Sequence, residues 1–379
     1  MKFTLRSHML DEFFRARVGP KVTAPLWAVH QIEVARNVYL PRFRAASERK
    51  PLARIGAELA ALTLKWRCLP FHYFRYELYD PSLSFAQVAA YLPDTVFYSR
   101  LLPMVNRAVE LLDDKVACKR ILADAGIPQP PLLMTGEGSS LWLDRFGDRV
   151  SPGSASALDA ALGGAGEVVI KPARYTSGGA GVTVVCNERG MLRQQDGSPF
   201  CLADYGREWG GWLIEAFVHQ HGELAAFNPH SLNTFRVITA LGPDGAHVLY
   251  VLIKSSTGVD AVDNACNGGL YARVDPATGT VDEIAHTTAL DRHRRHPVTG
   301  ITFAEQRITT VNQLVATAER AAVHFPKTPI IGWDIAMDQD GRALIIEGNS
   351  SPSLMNLQRS HGGLAAALGR SLIADRRPS

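Results

Sequence analysis

Near the end of the chain, IIGWDIAM is followed by DQDG and then ALIIEGN, spanning residues 330–349. Two short apolar runs around an Asp/Gly turn favour an antiparallel hairpin. Glu347 and Asn349 are two apart, so in an extended strand they project from one face, and the turn folds Asp334 back towards them. Two carboxylates and an amide oxygen among apolar strands are hard-oxygen donors, the set magnesium takes when it also binds phosphate oxygens and water. The plainer reading of the same residues is strand ends and turn caps.

Upstream, the strands EVVIKP (167–172) and GVTVVC (181–186) flank a loop of small residues, ARYTSGGA. Lys171 ends the first strand, and a Gly-rich segment beside a lysine lets backbone N–H groups approach phosphate oxygens, though an ordinary hairpin turn reads the same way. No G-x-x-x-x-G-K-[ST] is present, and no G-x-G-x-x-G follows a strand and opens a helix, which excludes Walker-type and Rossmann readings. Before these strands, DDKVACKRILADAGIP reads as a helix. Asp113 or Asp114 can cap it, Gly126 and Pro128 stop it, and Lys115 stands at its start as a second phosphate ligand or a solvated lysine. Glu215 interrupts the apolar strand WLIEAFV (212–218). A buried carboxylate needs a partner, either a ligand amino group such as adenine's or a nearby Lys or Arg.

TFRVITAL (234–241) and AHVLYVLIK (246–254) read as strands joined by the turn GPDG, 136–156 as loops, and 304–323 as helical. Residues 1–110 read as mostly helical, with a clear apolar stripe in PLARIGAELAALTLKW (51–66). The aromatic, basic segment PFHYFRYELYDP (70–81) fits a core-facing anchor under a helical cap, or a pocket wall in which Arg75 reaches an anionic group. The run DRHRRHP, holding Arg294 and Arg295, is a solvated basic loop or an anion-binding one.

Composition narrows the class. At 379 residues the chain is long enough for two or three folding units, and 46% hydrophobic against 20% charged residues excludes wholesale disorder. Forty basic and thirty-seven acidic residues give a net charge of +3, too balanced to point to nucleic acid or a membrane surface. No apolar run reaches the roughly 18 residues of a membrane span, and the start MKFTLRSHMLDEFF lacks the apolar core of a secretory signal. Five cysteines without C-x-x-C spacing fit a reduced, cytoplasmic protein.

The order of these parts, a lysine in DDKxxxK, VVIKP with its small-residue loop, LIEAFV and a terminal D…EGN, resembles the ATP-grasp superfamily. SLNTFRVITAL, DNACNGGLYARVDPATG, HPVTG and IIEGNSSPSLMNLQ are more narrowly similar to the sugar-transfer-associated ATP-grasp family, from about residue 113 to the C-terminus. The resemblance implies an α+β, ATP-grasp fold with two lobes clamping ATP: a helical region over 1–110, a first lobe over 111–210 and a second over 211–379. It implies an ATP-dependent carboxylate–amine ligase acting through an acylphosphate on small molecules, amino-acid or sugar-derived. The alternatives are a phosphotransferase on the same fold and a nucleotide-binding protein without turnover.

Carried onto this sequence, the resemblance puts Lys115 and Lys171 on the ATP phosphates under a loop containing Ser177, Gly178, Gly179 and Gly181. Glu215, with the backbone near Phe217 and Val218, meets adenine, and Glu223 stands where relatives place a ribose-binding acid. Asp334, Glu347 and Asn349 hold two magnesium ions, while Arg236 and Asn264 face the γ-phosphate and the reacting carboxylate; Lys254, closing its strand, adds positive charge there or is a solvated strand-end lysine. Arg75, Arg294 and Arg295 are the candidates for binding an anionic substrate. A zinc site at His219-x-His221-x-Glu223, on one strand face, is the remaining rival.

Overall fold

The computed structural model describes residues 32–174, 176, 179–258, 269–288 and 291–368. Two antiparallel sheets organise them. The first contains β1 (Leu132–Glu137), β2 (Leu141–Asp144), β3 (Glu167–Pro172), β4 (Thr183–Glu188), β5 (Met191–Gln194) and β6 (Gly211–Ala216), in the order β2-β1-β6-β3-β4-β5. The second contains β7 (Thr234–Gly242), β8 (Gly245–Ser255), β9 (Leu270–Val274), β10 (Ala285–Thr287), β11 (Arg292–His293), β12 (Ile330–Met337) and β13 (Ala343–Asn349), in the order β11-β10-β9-β8-β7-β12-β13. With the helical N-terminal segment, this is the expected α+β architecture.

The strand boundaries show where local signals suffice. β3, β7, β8, β12 and β13 fall within a residue or so of the apolar runs that predict them. Residues 136–156 do not form loops throughout, because β2 lies within them and pairs with β1. The helix expected over 304–323 is shorter, Val311–Ala322, preceded by a single 3₁₀ turn at Phe303–Glu305. The lobe boundary expected at 210/211 falls inside the first sheet. Gly210 ends the helix Leu202–Trp209 with positive φ, and β6 then runs between β1 and β3, so the sheets change over after Ala216.

Helix α1 (Leu52–Trp66) and the aromatic segment after it form the N-terminal cap. Tyr73, Tyr76, Leu78 and Tyr79 are buried there with Ile55 and Leu62, so the aromatic run serves as a core anchor. Helix α2 (Lys115–Asp124) is capped by Asp114, whose Oδ1 accepts from the N–H groups of Val116 and Ala117 at 2.9 and 3.0 Å. Its Cys118 and Leu122 enter the core of the second sheet beside Phe235, Val237 and Trp333, along with α3 (Val311–Ala322). Burial pushes the Cys118 thiol up to about 12, so this cysteine is packing and not a nucleophile.

Alternation along the strands gives the second sheet two unlike faces. Phe235, Val237, Val251, Ile253, Ile331, Trp333 and Ile335 face α3. Ile238, Leu252, Tyr271 and Ile330 face the other way, under Leu92, Phe97 and Leu102 of the cap and Leu354 and Leu357 of α4 (Leu354–His361). Asn106 pins the cap to this sheet. Its Nδ2 donates to the carbonyls of Ile330 (2.7 Å) and Ser350 (2.8 Å), and its Oδ1 accepts from the Ile330 N–H at 3.1 Å. Asn106→Ala leaves three buried backbone groups unpaired, so urea denaturation is expected to show a loss of about 2–4 kcal/mol at an unchanged m-value.

Candidate active site

Antiparallel partners share a sheet face. Asp334 on β12 is opposite both Arg236 on β7 and Glu347 on β13, and Asn349 is opposite Gly332. The hairpin therefore brings Asp334, Glu347 and Asn349 to one face, the same face the cap and α4 cover further along. Gly332 keeps this row open. A Cβ there would lie 2.9 Å from Pro352 Cβ and 3.2 Å from Arg236 Cδ, so any side chain would press on the guanidinium.

Asp334 is buried between two cations. Arg236 Nε and Nη2 reach its two oxygens at 2.6 and 3.1 Å, and Lys254 Nζ lies 3.2 Å from Oδ2. Burial works to raise the carboxyl's pKa, but Arg236 and then Lys254 outweigh it and hold it well below the usual carboxylate range. Lys254 is thus engaged with the acid and is no solvated strand end. Glu347 is less constrained: its Oε1 takes one long bond, 3.4 Å, from Asn349 Nδ2, which also donates to the Gly332 carbonyl at 3.2 Å. With the Asn349 nitrogen so used, its oxygen and a Glu347 oxygen are left as hard acceptors, the donor chemistry a magnesium ion takes.

The first sheet contributes a matching arrangement. Glu215, the acid inside β6, is buried between Lys171 at the end of β3, with which it forms an ion pair, and Lys119 of α2, whose Nζ lies 2.7 Å away. Burial opposes ionisation here too, yet the two lysines hold the carboxyl below its ordinary value. Of the two partner types open in the sequence, the structure supplies lysines. Lys119 went unassigned in the sequence reading, although its spacing of four from Lys115 on one helix was the available signal.

Lys115 lies where the two sheets meet. Its N–H donates to the Ala173 carbonyl just after β3 (2.9 Å), and its Nζ to Thr176 Oγ1 in the small-residue loop (3.2 Å). Its ammonium feels Glu347 of the second sheet and Lys171 and Glu215 of the first, and burial sets it below its usual range. At the far end of the loop Gly181 (φ +77°) packs where a Cβ would meet Pro172 at 2.6 Å and Trp209 at 2.9 Å, and its carbonyl accepts from Tyr205 Oη at 2.7 Å. Gly179 also has positive φ. Ser177, Gly178 and Asn264 lie outside the described residues.

The other candidates divide. Phe217 and Val218 directly follow β6, where the chain leaves the first sheet, Val218 buried and Phe217 edge-on to His219. Glu223 accepts from Thr309 Oγ1 (2.5 Å) and Thr309 N–H (3.2 Å). The zinc reading fails on geometry. β6 ends at Ala216, His221 caps the short helix Gly222–Ala225, and no group of three His, Cys, Asp or Glu side chains among the described residues is arranged to hold a metal. The Arg75 guanidinium is buried against Asp94 and Tyr39 Oη (2.7 Å), while Arg294 is exposed and paired with Glu283 at 2.6 Å and Arg295 is exposed. Asp334 is held by Arg236 and Lys254, while Arg75 pairs with Asp94 and Arg294 with Glu283, so Arg75 acts as a structural ion pair.

Among the described residues no helix is long and apolar enough to cross a membrane. A family model described as sugar-transfer associated ATP-grasp matches residues 97–368. No curated protein matches the chain. Among solved structures, the D-cycloserine synthetase DcsG aligns with 70% of the chain and 71% of its own, at 14% identity and a TM-score of 0.42. The VanG D-Ala:D-Ser ligase of Enterococcus faecalis aligns over 69% of this chain and 61% of its own, at 14% identity and a TM-score of 0.40. An L-amino acid ligase of Bacillus licheniformis aligns over 82% and 57%, at 15% identity and a TM-score of 0.37. The chain thus spans under two thirds of the length of those last two proteins.

The Asp334 geometry makes a prediction about stability. A carboxyl whose folded pKa is depressed adds stability above its unfolded pKa near 4, and that stability is lost as pH falls towards the folded value. Asp334→Asn, which leaves Arg236 and Lys254 without their acid, should cost about 3–5 kcal/mol at pH 7. In urea titrations the gap from wild type should shrink as pH is lowered below 4.

Proposed function

Because the chain belongs to the sugar-transfer-associated ATP-grasp family, we propose that it is an ATP-dependent carboxylate–amine ligase working at the junction of its two sheets. The observation that carries the reading is the position of Lys115, hydrogen-bonded to Ala173 and Thr176 just beyond β3 while Asp113, two residues earlier, accepts from Ser350 Oγ (2.9 Å) at the end of β13, the strand of Glu347 and Asn349. A triphosphate lying there meets ammonium groups from the first sheet and hard oxygens from the second.

In this reading Lys115, Lys171 and Lys119 hold phosphate oxygens, and the small-residue loop, at Thr176, Gly179 and Gly181, offers them backbone N–H groups. Phe217 and Val218 offer backbone to the adenine ring, and Glu223 a carboxylate to the ribose. Glu215 holds the two lysines beside it in place. Asp334, Glu347 and Asn349 hold magnesium, which when bound screens the charge of the triphosphate.

Arg236 and Lys254 stand over the reacting end. A substrate carboxylate oriented by them attacks the γ-phosphorus, forming a carboxyl–phosphate bond as the bond to the ADP oxygen breaks. An amine then attacks the acyl carbon, phosphate leaves with the bonding pair, and the amine's proton passes to solvent or a nearby base. Such chemistry needs alignment and charge neutralisation more than a protein nucleophile. Arg236 and Lys254, held in place beside Asp334 on neighbouring strands, suit that requirement.

Glu347→Gln is the clean test, because Glu347 makes a single long hydrogen bond and its loss should leave the fold in place. ADP release with a mixture of amino acids and small organic acids is expected to fall at least about 100-fold, the scale of a lost charge-stabilising group, with a melting temperature close to wild type. Hydroxamate formation from added hydroxylamine should accompany turnover in the wild type. Turnover without hydroxamate would favour a phosphotransferase, and full turnover by Glu347→Gln would remove the metal assignment.

A further inference from the structure

The turn between β13 and α4, residues 350–353, is held from three sides. The Ser350 carbonyl accepts from Asn106 Nδ2 at 2.8 Å, and Ser350 Oγ donates to Asp113 Oδ1 at 2.9 Å. Tyr98 of the cap supplies the third hold. Its hydroxyl donates to the Pro352 carbonyl at 3.2 Å and accepts from the Leu354 N–H at 2.8 Å. The first N–H groups of a helix lack intrahelical acceptors, and the residue before the helix commonly supplies one. Ser353 gives α4 no side-chain cap, and a tyrosine 256 residues upstream does so instead. Tyr98 lies in a π-helical turn, Phe97–Leu101, that buries Phe97 between the cap and the second sheet. Such turns are rare and concentrate at functional sites.

This turn borders the charged row. Asn349 directly precedes it, opposite Gly332, and a Cβ on Gly332 would lie 2.9 Å from Pro352 Cβ and 3.2 Å from Arg236 Cδ. Pro352 therefore packs beside Arg236, and its carbonyl is the atom that Tyr98 grips. A turn free to shift would carry Asn349 with it. We propose that Tyr98 is a positioning residue: its hydroxyl fixes the turn that sets Asn349, so the helical N-terminal segment governs metal binding without touching the metal. The inference rests on the ligase reading for the metal assignment of Asn349. Outer groups that orient a ligand change metal affinity although they make no bond to the ion. Arg75, the candidate of this segment in the sequence, is spent on Asp94.

Tyr98→Phe removes the hydroxyl and keeps the ring, with its edge-to-face contact on Phe97 at 4.9 Å. Tyr73→Phe is the matched control, because it removes a cap hydroxyl bonded to Glu58 of α1 (2.7 Å) and not to the turn. Hydrogen exchange of the full chain, without nucleotide or metal, reads the hold itself. The peptide containing Leu354 is expected to exchange about 3- to 10-fold faster in Tyr98→Phe, the scale of one lost hydrogen bond, and at the wild-type rate in Tyr73→Phe. The melting-temperature rise at fixed excess ADP, followed against Mg2+ concentration, reads the consequence. Half of that rise should need about 3- to 10-fold more Mg2+ in Tyr98→Phe than in wild type or Tyr73→Phe. Unchanged exchange at Leu354, an unchanged Mg2+ requirement, or the same change in both variants overturns the proposal. A Mg2+-dependent rise in wild type without ADP release on amino acids and organic acids strikes the ligase reading and leaves the role of Tyr98 standing. No Mg2+-dependent rise in wild type strikes the metal assignment, and the proposal with it.

Discussion

The buried Glu215 carboxylate, held between Lys119 and Lys171, joins helix α2 to the first sheet, while the opposite side of that helix is packed into the core of the second. A carboxylate taken out of water costs several kcal/mol unless its partners are close and well placed. That requirement fixes the helix against β3 and β6. The fixed helix carries Lys115 at its start, its N–H on the Ala173 carbonyl and its Nζ on Thr176 Oγ1. Hydrophobic packing alone sets no such register, since Cys118 and Leu122 would tolerate small slides. The ion cluster does not.

Each sheet thus presents a buried acid with two cations, Glu215 with Lys119 and Lys171, and Asp334 with Arg236 and Lys254. Each cluster therefore has one more positive than negative group. In the proposed function, the phosphate charge of the nucleotide would meet that excess. The cap and α4 complete the arrangement. They cover the apolar end of the same sheet face, through Ile238, Leu252 and Ile330. The helical N-terminal segment is thereby joined to the sheet that carries Asp334, with Asn106 and Gln358 as polar fasteners. Gln358 is wholly buried and grips both the N–H (2.7 Å) and the carbonyl (2.9 Å) of Leu92.

Much of this was legible in the linear chain. The last hairpin declared itself because alternation and an Asp/Gly turn are local properties, and the spacing of Glu347 and Asn349 fixes their common face whatever lies around them. The same holds for the Asp114 cap of α2, for the strands ending at Lys171 and Asn349, and for the family resemblance, which is a matter of motifs in order. Shorter elements were not legible. β2 and β5, four residues each, carry too little alternation to stand out from turns, and β6 looked longer than it is because Phe217 and Val218 continue its apolar run after pairing has stopped.

Partnership was the part only the tertiary structure could decide. The sequence showed that Glu215 needs a counterpart, that Arg75 could reach an anionic group, and that Asp334 carries a charge into an apolar strand. Which cation meets which acid depends on residues 44, 80, 96 and 98 positions apart, as in Lys171 and Glu215, Lys254 and Asp334, Lys119 and Glu215, and Arg236 and Asp334. Composition and periodicity determine that a strand is buried and which of its residues share a face. They do not determine which strand lies beside it, and the energy of a buried charge depends on that neighbour. The sequence therefore specified the elements and the kinds of chemistry available. The packing of α2, the cap and α4 decided which groups converge.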